Sequence, residues 1–167
     1  QLKQQEVYSS GPIDDHWVDR GARQIADSID TQYGGFGHAP KFPRPVVPDF
    51  LLRHGKRLAD SRIQAMAQDN LRAMAWGGIH DQVGGGFHRY SVDEAWQVPH
   101  FEKMLYDQAQ LASSYLLAFE QTSDPFFARI ARSTLDSVMR DLRDVSGTFY
   151  CGEDADSPDL EVAGQQR

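Results

Sequence analysis

The sequence predicts an all-α protein of antiparallel helical hairpins, arranged as part of a toroid or solenoid. Three observations lead there. Five segments carry apolar residues at helical spacing. Short and long links alternate between them. Each long link carries a similar Gly–aromatic motif, as expected of an irregular repeat.

The first helix is expected over 14–32, where Val18, Ala22, Ile25 and Ile29 share a face and Gly34-Gly35 stops it. The second, over 48–58, carries Val47, Leu51, His54 and Leu58, with Pro48 in its first turn and Gly55 weakening it. The third opens on a capping box in which Ser61 caps Gln64 and Gln64 reaches back. Its face is Ile63, Ala67, Leu71 and Met74, and Gly77-Gly78 ends it. The fourth, over 101–122, has a stripe from Phe101 to Phe119 broad enough for a helix buried along most of its length. The fifth opens with Asp124 as cap and Pro125 at its first position, and buries Phe127, Ala131, Leu135, Val138 and Leu142.

Short links near Ala59 and Ser123 force antiparallel neighbours. The long links 33–43, 77–100 and the segment after Ser146 all follow odd-numbered helices, so they emerge at one end. They hold GGFG at Gly34, GGGFHRY at Gly84 and GTFY at Gly147. The last two have the composition of short strands or hairpins. Five helices do not close a ring, so a partner surface or further chain should cover the open edge.

Composition narrows the function. The chain of 167 residues is 40 % hydrophobic and 25 % charged, with net charge −7. That is the balance of a folded protein, and its sign argues against nucleic acid or anionic lipid as partners. The longest nearly apolar run, Ser113 to Phe119, is far shorter than the roughly 20 residues of a membrane span. Residues 1–12 read as a polar linker and not as a signal peptide, and the chain reads as a fragment or processed form. Residues 13–158 read as the helical domain and 159–167 as a tail. Cys151 is the single cysteine, which excludes an internal disulfide or Cys-rich zinc site and suits a reduced cytoplasmic setting.

The second loop is the densest in chemistry: His80, Asp81, His88, Arg89, Tyr90, Trp96 and His100, with Glu102 just inside the fourth helix. Acids and bases beside flat rings suit a sugar, whose hydroxyls need hydrogen bonds and whose faces need apolar contact. His80 and His88 are the expected bases, Asp81, Glu102 and Glu153 the acids or orienters, Arg89 an anion contact, and Tyr90 and Trp96 stacking rings. Equally, Asp81, Arg89 and Glu102 are the residue types that tie a long loop down. The third loop adds Glu153, Asp154 and Asp156, candidates for acid–base or ligand contacts and equally for a solvated turn. The first offers His38 and Lys41 as ligand contacts. The spacing of His80 and His88 is not that of a helical zinc site, and no metal or cofactor is expected. Lys103 and Asp107 read as an i,i+4 ion pair on the helix surface.

GGFGHAPKFP, GGIHDQVGGGFHRYSVDEAWQVPHFEKMLYDQAQL and GTFYCGEDADSP resemble three blocks of the spermatogenesis-associated thioredoxin-domain proteins and their bacterial relatives. The resemblance runs from Tyr33 to Pro158. It implies a thioredoxin-like domain before this chain, as a partner within the same longer protein. It also implies an (α/α)6 toroid similar to those of N-acylglucosamine 2-epimerases and six-hairpin glycosidases, of which this chain would be the first part. Toroids of those kinds isomerise sugars with histidine bases or cleave glycosidic bonds with carboxylates, and none of their catalytic residues maps onto a position here. Two functions are therefore expected side by side: binding or turnover of a small carbohydrate, or a non-catalytic module serving the thioredoxin-like domain. The isolated chain, with helix faces uncovered, is expected to be inactive and to self-associate.

Overall fold

The computed structural model describes residues 15–156. The predicted linker, the tail, and the ends of the helical domain before Asp15 and after Asp156 lie outside them. Five α-helices dominate: α1 Asp15–Asp27, α2 Val46–Leu58, α3 Ser61–Trp76, α4 Leu105–Thr122 and α5 Pro125–Ser137, the last continuing as a π-turn over Val138–Leu142. Four two-residue strands lie in the loops: β1 Tyr90–Ser91 with β2 Pro99–His100, and β3 Lys103–Met104 with β4 Gly152–Glu153, both pairs antiparallel. Helices α2 and α4 pack on each other and each carries its hairpin partner, α3 or α5.

Several boundaries differ from the sequence reading, each for a local reason. Helix α1 stops at Asp27 and not near Gln32, because Asp30 turns back to accept the N–H groups of Gln32 and Tyr33. The cap of α3 is Asp60, not Ser61: its carboxylate accepts from Arg62 and Ile63, and the Gln64 amide reaches the carbonyls of Gly55 and Asp60. Helix α4 begins at Leu105 because the backbone of Lys103 and Met104 is taken by β4. Glu102 therefore precedes the helix. At α5 the Asp124 cap on Phe126 and Pro125 stand where expected.

The core is aromatic at its centre. Tyr115 is fully buried, stacks on Phe87 at 5.5 Å, and donates its hydroxyl to the Leu71 carbonyl at 2.6 Å. Leu51, Leu52, Met74, Leu111 and Phe127 surround it.

The three long loops gather at one end, as helix alternation requires. Lys41 bridges to Ser91, joining the first loop to the second, and Lys103 pairs with Glu153, joining the second to the third. They also repeat one turn. In each, an aspartate (Asp30, Asp81, Asp144) closes a backbone ring onto the glycines and accepts N–H groups on its side chain. The residue before it bridges to the loop phenylalanine: Ile29 to Phe36, His80 to Phe87, Arg143 to Phe149. The first two turns seat on the next odd helix. A Cβ on Gly34 would stand 2.9 Å from that of Ala73 in α3, and one on Gly85 2.6 Å from the Ser133 carbonyl in α5. A side chain larger than hydrogen would lift either turn off its seat.

Candidate functional site

A buried lysine closes each of the first two turns. Lys41 pairs with Asp30 and donates to the Gly34 carbonyl at 2.8 Å. Lys103 donates to Asp81 at 2.7 Å and to the Gly85 carbonyl at 3.0 Å. The two constellations match atom for atom in role. Both carboxylates sit below their ordinary range: partial burial works against this, but the lysine ammonium and the turn N–H groups outweigh it, most strongly at Asp81. Asp81 is thus held ionised by the turn, and Lys41, whose side chain is 0 % exposed, contacts no ligand surface. In this arrangement Asp81 fills the loop-tying role that its residue type equally allowed, and the Lys41 ammonium is spent on Asp30 and the Gly34 carbonyl. The expected Lys103–Asp107 pair is absent for the same reason, since the ammonium lies on Asp81.

Trp96 is also reassigned. It is 1 % exposed and donates to the Gly34 carbonyl, with its backbone in the left-handed region. A Cβ on Gly35 would stand 2.5 Å from its ring, and one on Gly77 2.5 Å from its carbonyl. It is a wedge between the first and second loops, and neither face is open for stacking. His38 is exposed and lies 3.6 Å from Glu94. Glu153 is exposed beside Lys103 in the β3–β4 pair, and Asp154 accepts the Asp156 N–H at 3.3 Å. Among the described residues no group of three or more His, Cys, Asp or Glu is placed to hold a metal ion. Nor is any helix there long and apolar enough to cross a membrane.

His80 and His88 are both buried. His80 lies 4.8 Å from Phe87, centroid to centroid, and neither ring nitrogen has a hydrogen-bond partner. The two hydrogens of the nearby Gln82 amide are shared among the carbonyls of Ala75, Gly77 and His80, and Gln82 works against the lowering of the His80 ring. His88 meets the Phe101 carbonyl at 3.3 Å. Burial holds both rings below the usual histidine range, and the Lys103 charge adds to it.

The remaining candidates come together on the β1–β2 ribbon. Tyr90 opposes His100 in register, and their rings stack at 4.7 Å and 16°. Phe42 extends the row from the first loop, 5.0 Å from Tyr90. Arg89 donates to Glu102 at 2.7 Å, and His100 approaches the same oxygen at 3.8 Å. Sequence reasoning gave Asp107 only a surface ion pair with Lys103. Half-buried in the first turn of α4 and deprived of Lys103, it has its carboxyl pushed up to about 6. Burial is the main cause, the Glu102 charge adds to it, and Arg89 opposes it. Exposed Phe101 and Tyr106 flank these groups in sequence. Phe42 was visible in the sequence only as one more loop aromatic, and nothing local showed that Lys103 would turn away from Asp107. A groove of about 710 Å³ lies elsewhere, between the first turn and α3, and contains none of these residues.

No family model matches the chain. It is 53 % identical over 140 residues to human spermatogenesis-associated protein 20, an alignment covering 81 % of this chain and 18 % of that protein. Spermatogenesis-associated protein 20 is its homologue. The Caenorhabditis elegans uncharacterized protein B0495.5 is 42 % identical over 146 residues, covering 78 % of the chain and again 18 % of the relative. The chain thus spans under a fifth of the length of these relatives. Among solved structures it is similar to an unsaturated glucuronyl hydrolase specific for heparin (TM-score 0.67, 14 % identity, 83 % of this chain and 43 % of that one). It is similar also to cellobiose 2-epimerase from Spirochaeta thermophila (0.66, 16 %, 84 % and 41 %) and to a D-mannose isomerase (0.66, 17 %, 84 % and 42 %). At these identities the likeness is one of fold: the chain has the α/α toroid architecture of such enzymes over less than half of their length.

Proposed function

We propose that this chain supplies, within a longer protein, part of a toroid that binds a carbohydrate-like, polyhydroxylated ligand on the β1–β2 ribbon. The single observation that carries the reading is the convergence of Arg89, Tyr90, His100 and Glu102 next to Asp107, whose carboxyl burial pushes up to about 6. The ring row supplies flat apolar faces, Arg89 and Glu102 supply fixed charge-assisted hydrogen-bonding groups, and Asp107 supplies a carboxyl that exchanges its proton near neutral pH. Toroid neighbours whose names include sugar epimerases and a glucuronyl hydrolase support the ligand class by analogy of fold alone. An isomerase-like or glycosidase-like reaction would need a base and an acid across the ligand. In this reading Asp107 is the acid, and walls formed by the rest of the longer protein complete the site.

A second reading has its own support. Asp81, Lys41 and Trp96, three residues of chemically rich type, are all consumed in holding loops together. A non-catalytic module that presents ligands to a thioredoxin-like domain of the same protein needs only such a fixed surface. The lone exposed Cys151 fits a reducing cytoplasmic setting for either reading.

The test is a calorimetric and thermal-shift screen of the full-length protein against neutral sugars, uronates and sugar phosphates, followed by Arg89→Ala and Asp107→Asn. The catalytic reading expects binding weakened about tenfold or more by Arg89→Ala, and turnover lost in Asp107→Asn with binding kept. Binding that survives both substitutions would remove the ribbon from consideration. Binding lost in Arg89→Ala, with no sugar conversion in the wild-type protein, would favour the module.

A further inference from the structure

The repeated turn contains its own control experiment. In the first loop the position before the aspartate is Ile29, a partly buried apolar residue packed on the core and bridged to Phe36. In the second loop the same position is His80, bridged to Phe87 in the same way. The fold of the turn is therefore satisfied by an aliphatic side chain. At His80 it instead buries an imidazole whose two nitrogens have no partner. His88 lies one residue past Phe87, buried, where the first loop has the exposed Gly37. Nothing about packing alone requires either ring to be titratable.

The geometry points to an acid-sensitive latch: His80, with His88, fastens the second loop while neutral and releases it when protonated. The groups facing the pair decide the direction. Lys103 from β3 brings a buried positive charge from one side and holds both Asp81 and the Gly85 carbonyl. Asp81, in the turn itself, is already engaged by that lysine and by the N–H groups of Val83 and Gly84. Glu153 on β4 is exposed, and Arg140 of the π-turn is paired with Asp141 and donates to the Gly84 carbonyl at 2.7 Å. Gln108 of α4 is spent on the backbone of Phe87. No carboxylate is left free inside to receive an imidazolium, so a proton on His80 is accommodated by opening the loop to water. The opening would release the hydrogen bonds from the Asp81, Gly85 and His88 N–H groups and carry Arg89 and Tyr90 with it. This inference does not rest on the ligand reading, because it is tested with no ligand present.

The experiment is hydrogen–deuterium exchange by mass spectrometry on the full-length protein from pH 7.5 to 5, corrected for intrinsic exchange. Peptides covering 79–90 are compared with peptides covering 28–37. Opening coupled to one proton should lower protection about tenfold per pH unit below about pH 6.5, and about a hundredfold if both histidines take part. The first loop should stay flat, and His80→Ile should remove the acid response contributed by that ring. Parallel loss in both loops, or an unchanged response in His80→Ile, would overturn the latch. If His80→Ile does not fold, the Hε1 resonance of His80 in the wild-type protein decides. A midpoint below 6.5 with coincident shifts at Gly85 and Gly86 supports the latch, and a midpoint at or above 6.5 rejects it.

Discussion

Replacing Lys103 by Met removes the charge that closes the second turn while keeping most of the aliphatic stem. Lys103 is 10 % exposed at its side chain and Asp81 25 %. Deleting one partner of a buried pair typically costs about 3–5 kcal/mol, because the other charge is left stranded. Asp81 keeps two N–H donors and a quarter of its side chain in water, which brings the cost to the bottom of that range or just below it, roughly 2–3 kcal/mol. Lys41→Met makes the same change in the first turn, where the lysine is fully buried and Asp30 is 17 % exposed. It should cost more, roughly 3–5 kcal/mol. Urea unfolding followed by tryptophan fluorescence gives both numbers, and the double variant Asp81→Asn with Lys103→Met should recover part of the loss through a coupling of at least about 1 kcal/mol. Losses under about 0.5 kcal/mol in both single variants would mean that the lysines do not fasten the turns, and Asp81 would return as a free acid.

Two further outcomes follow from the same geometry. Trp96→Ala should destabilise by roughly 3–5 kcal/mol in the same assay, since the wedge fills space that the glycines around it leave open. Asp107→Asn should gain stability relative to wild type at pH 7.5 and lose that advantage by pH 4. A carboxyl whose folded value is raised above 3.8 to about 6 penalises the folded state once ionised, and the penalty fades as pH falls through that window. Thermal melts at the two pH values check the sign.

What could be read from the sequence was whatever is local. The five helices follow from period and punctuation, and the common end of the loops follows from alternation of link lengths. The Asp124–Pro125 start of α5 is written in two adjacent residues. What could not be read depends on partners far along the chain. Phe101 to Met104 continue the apolar period of α4, yet β4, some fifty residues on, takes the backbone of Lys103 and Met104 and delays the helix. Lys103 and Asp107 have ideal spacing for a surface pair, but the second turn offers the ammonium a buried seat with two oxygen acceptors, on Asp81 and on the Gly85 carbonyl. Trp96 looked like a stacking ring because nothing local announces that Gly35 and Gly77 leave a slot of its shape. Asp107 owes its raised value to burial and to the Glu102 charge, neither of which its immediate sequence announces. The candidate site was thus half legible: Arg89, Tyr90, His100 and Glu102 by type and loop, their grouping and their acidic neighbour not at all.

The lysine clasp has an evolutionary consequence. In the first loop Lys41 follows Phe36 after a few residues, whereas in the second a whole ribbon, with Trp96 at its tip, is inserted between Phe87 and Lys103. Both ends of that insertion are anchored to the same turn, and Trp96 pins its tip against Gly35 and Gly77. Its exposed positions, Val92 and Val98 among them, can change surface chemistry without disturbing the turn that holds the segment.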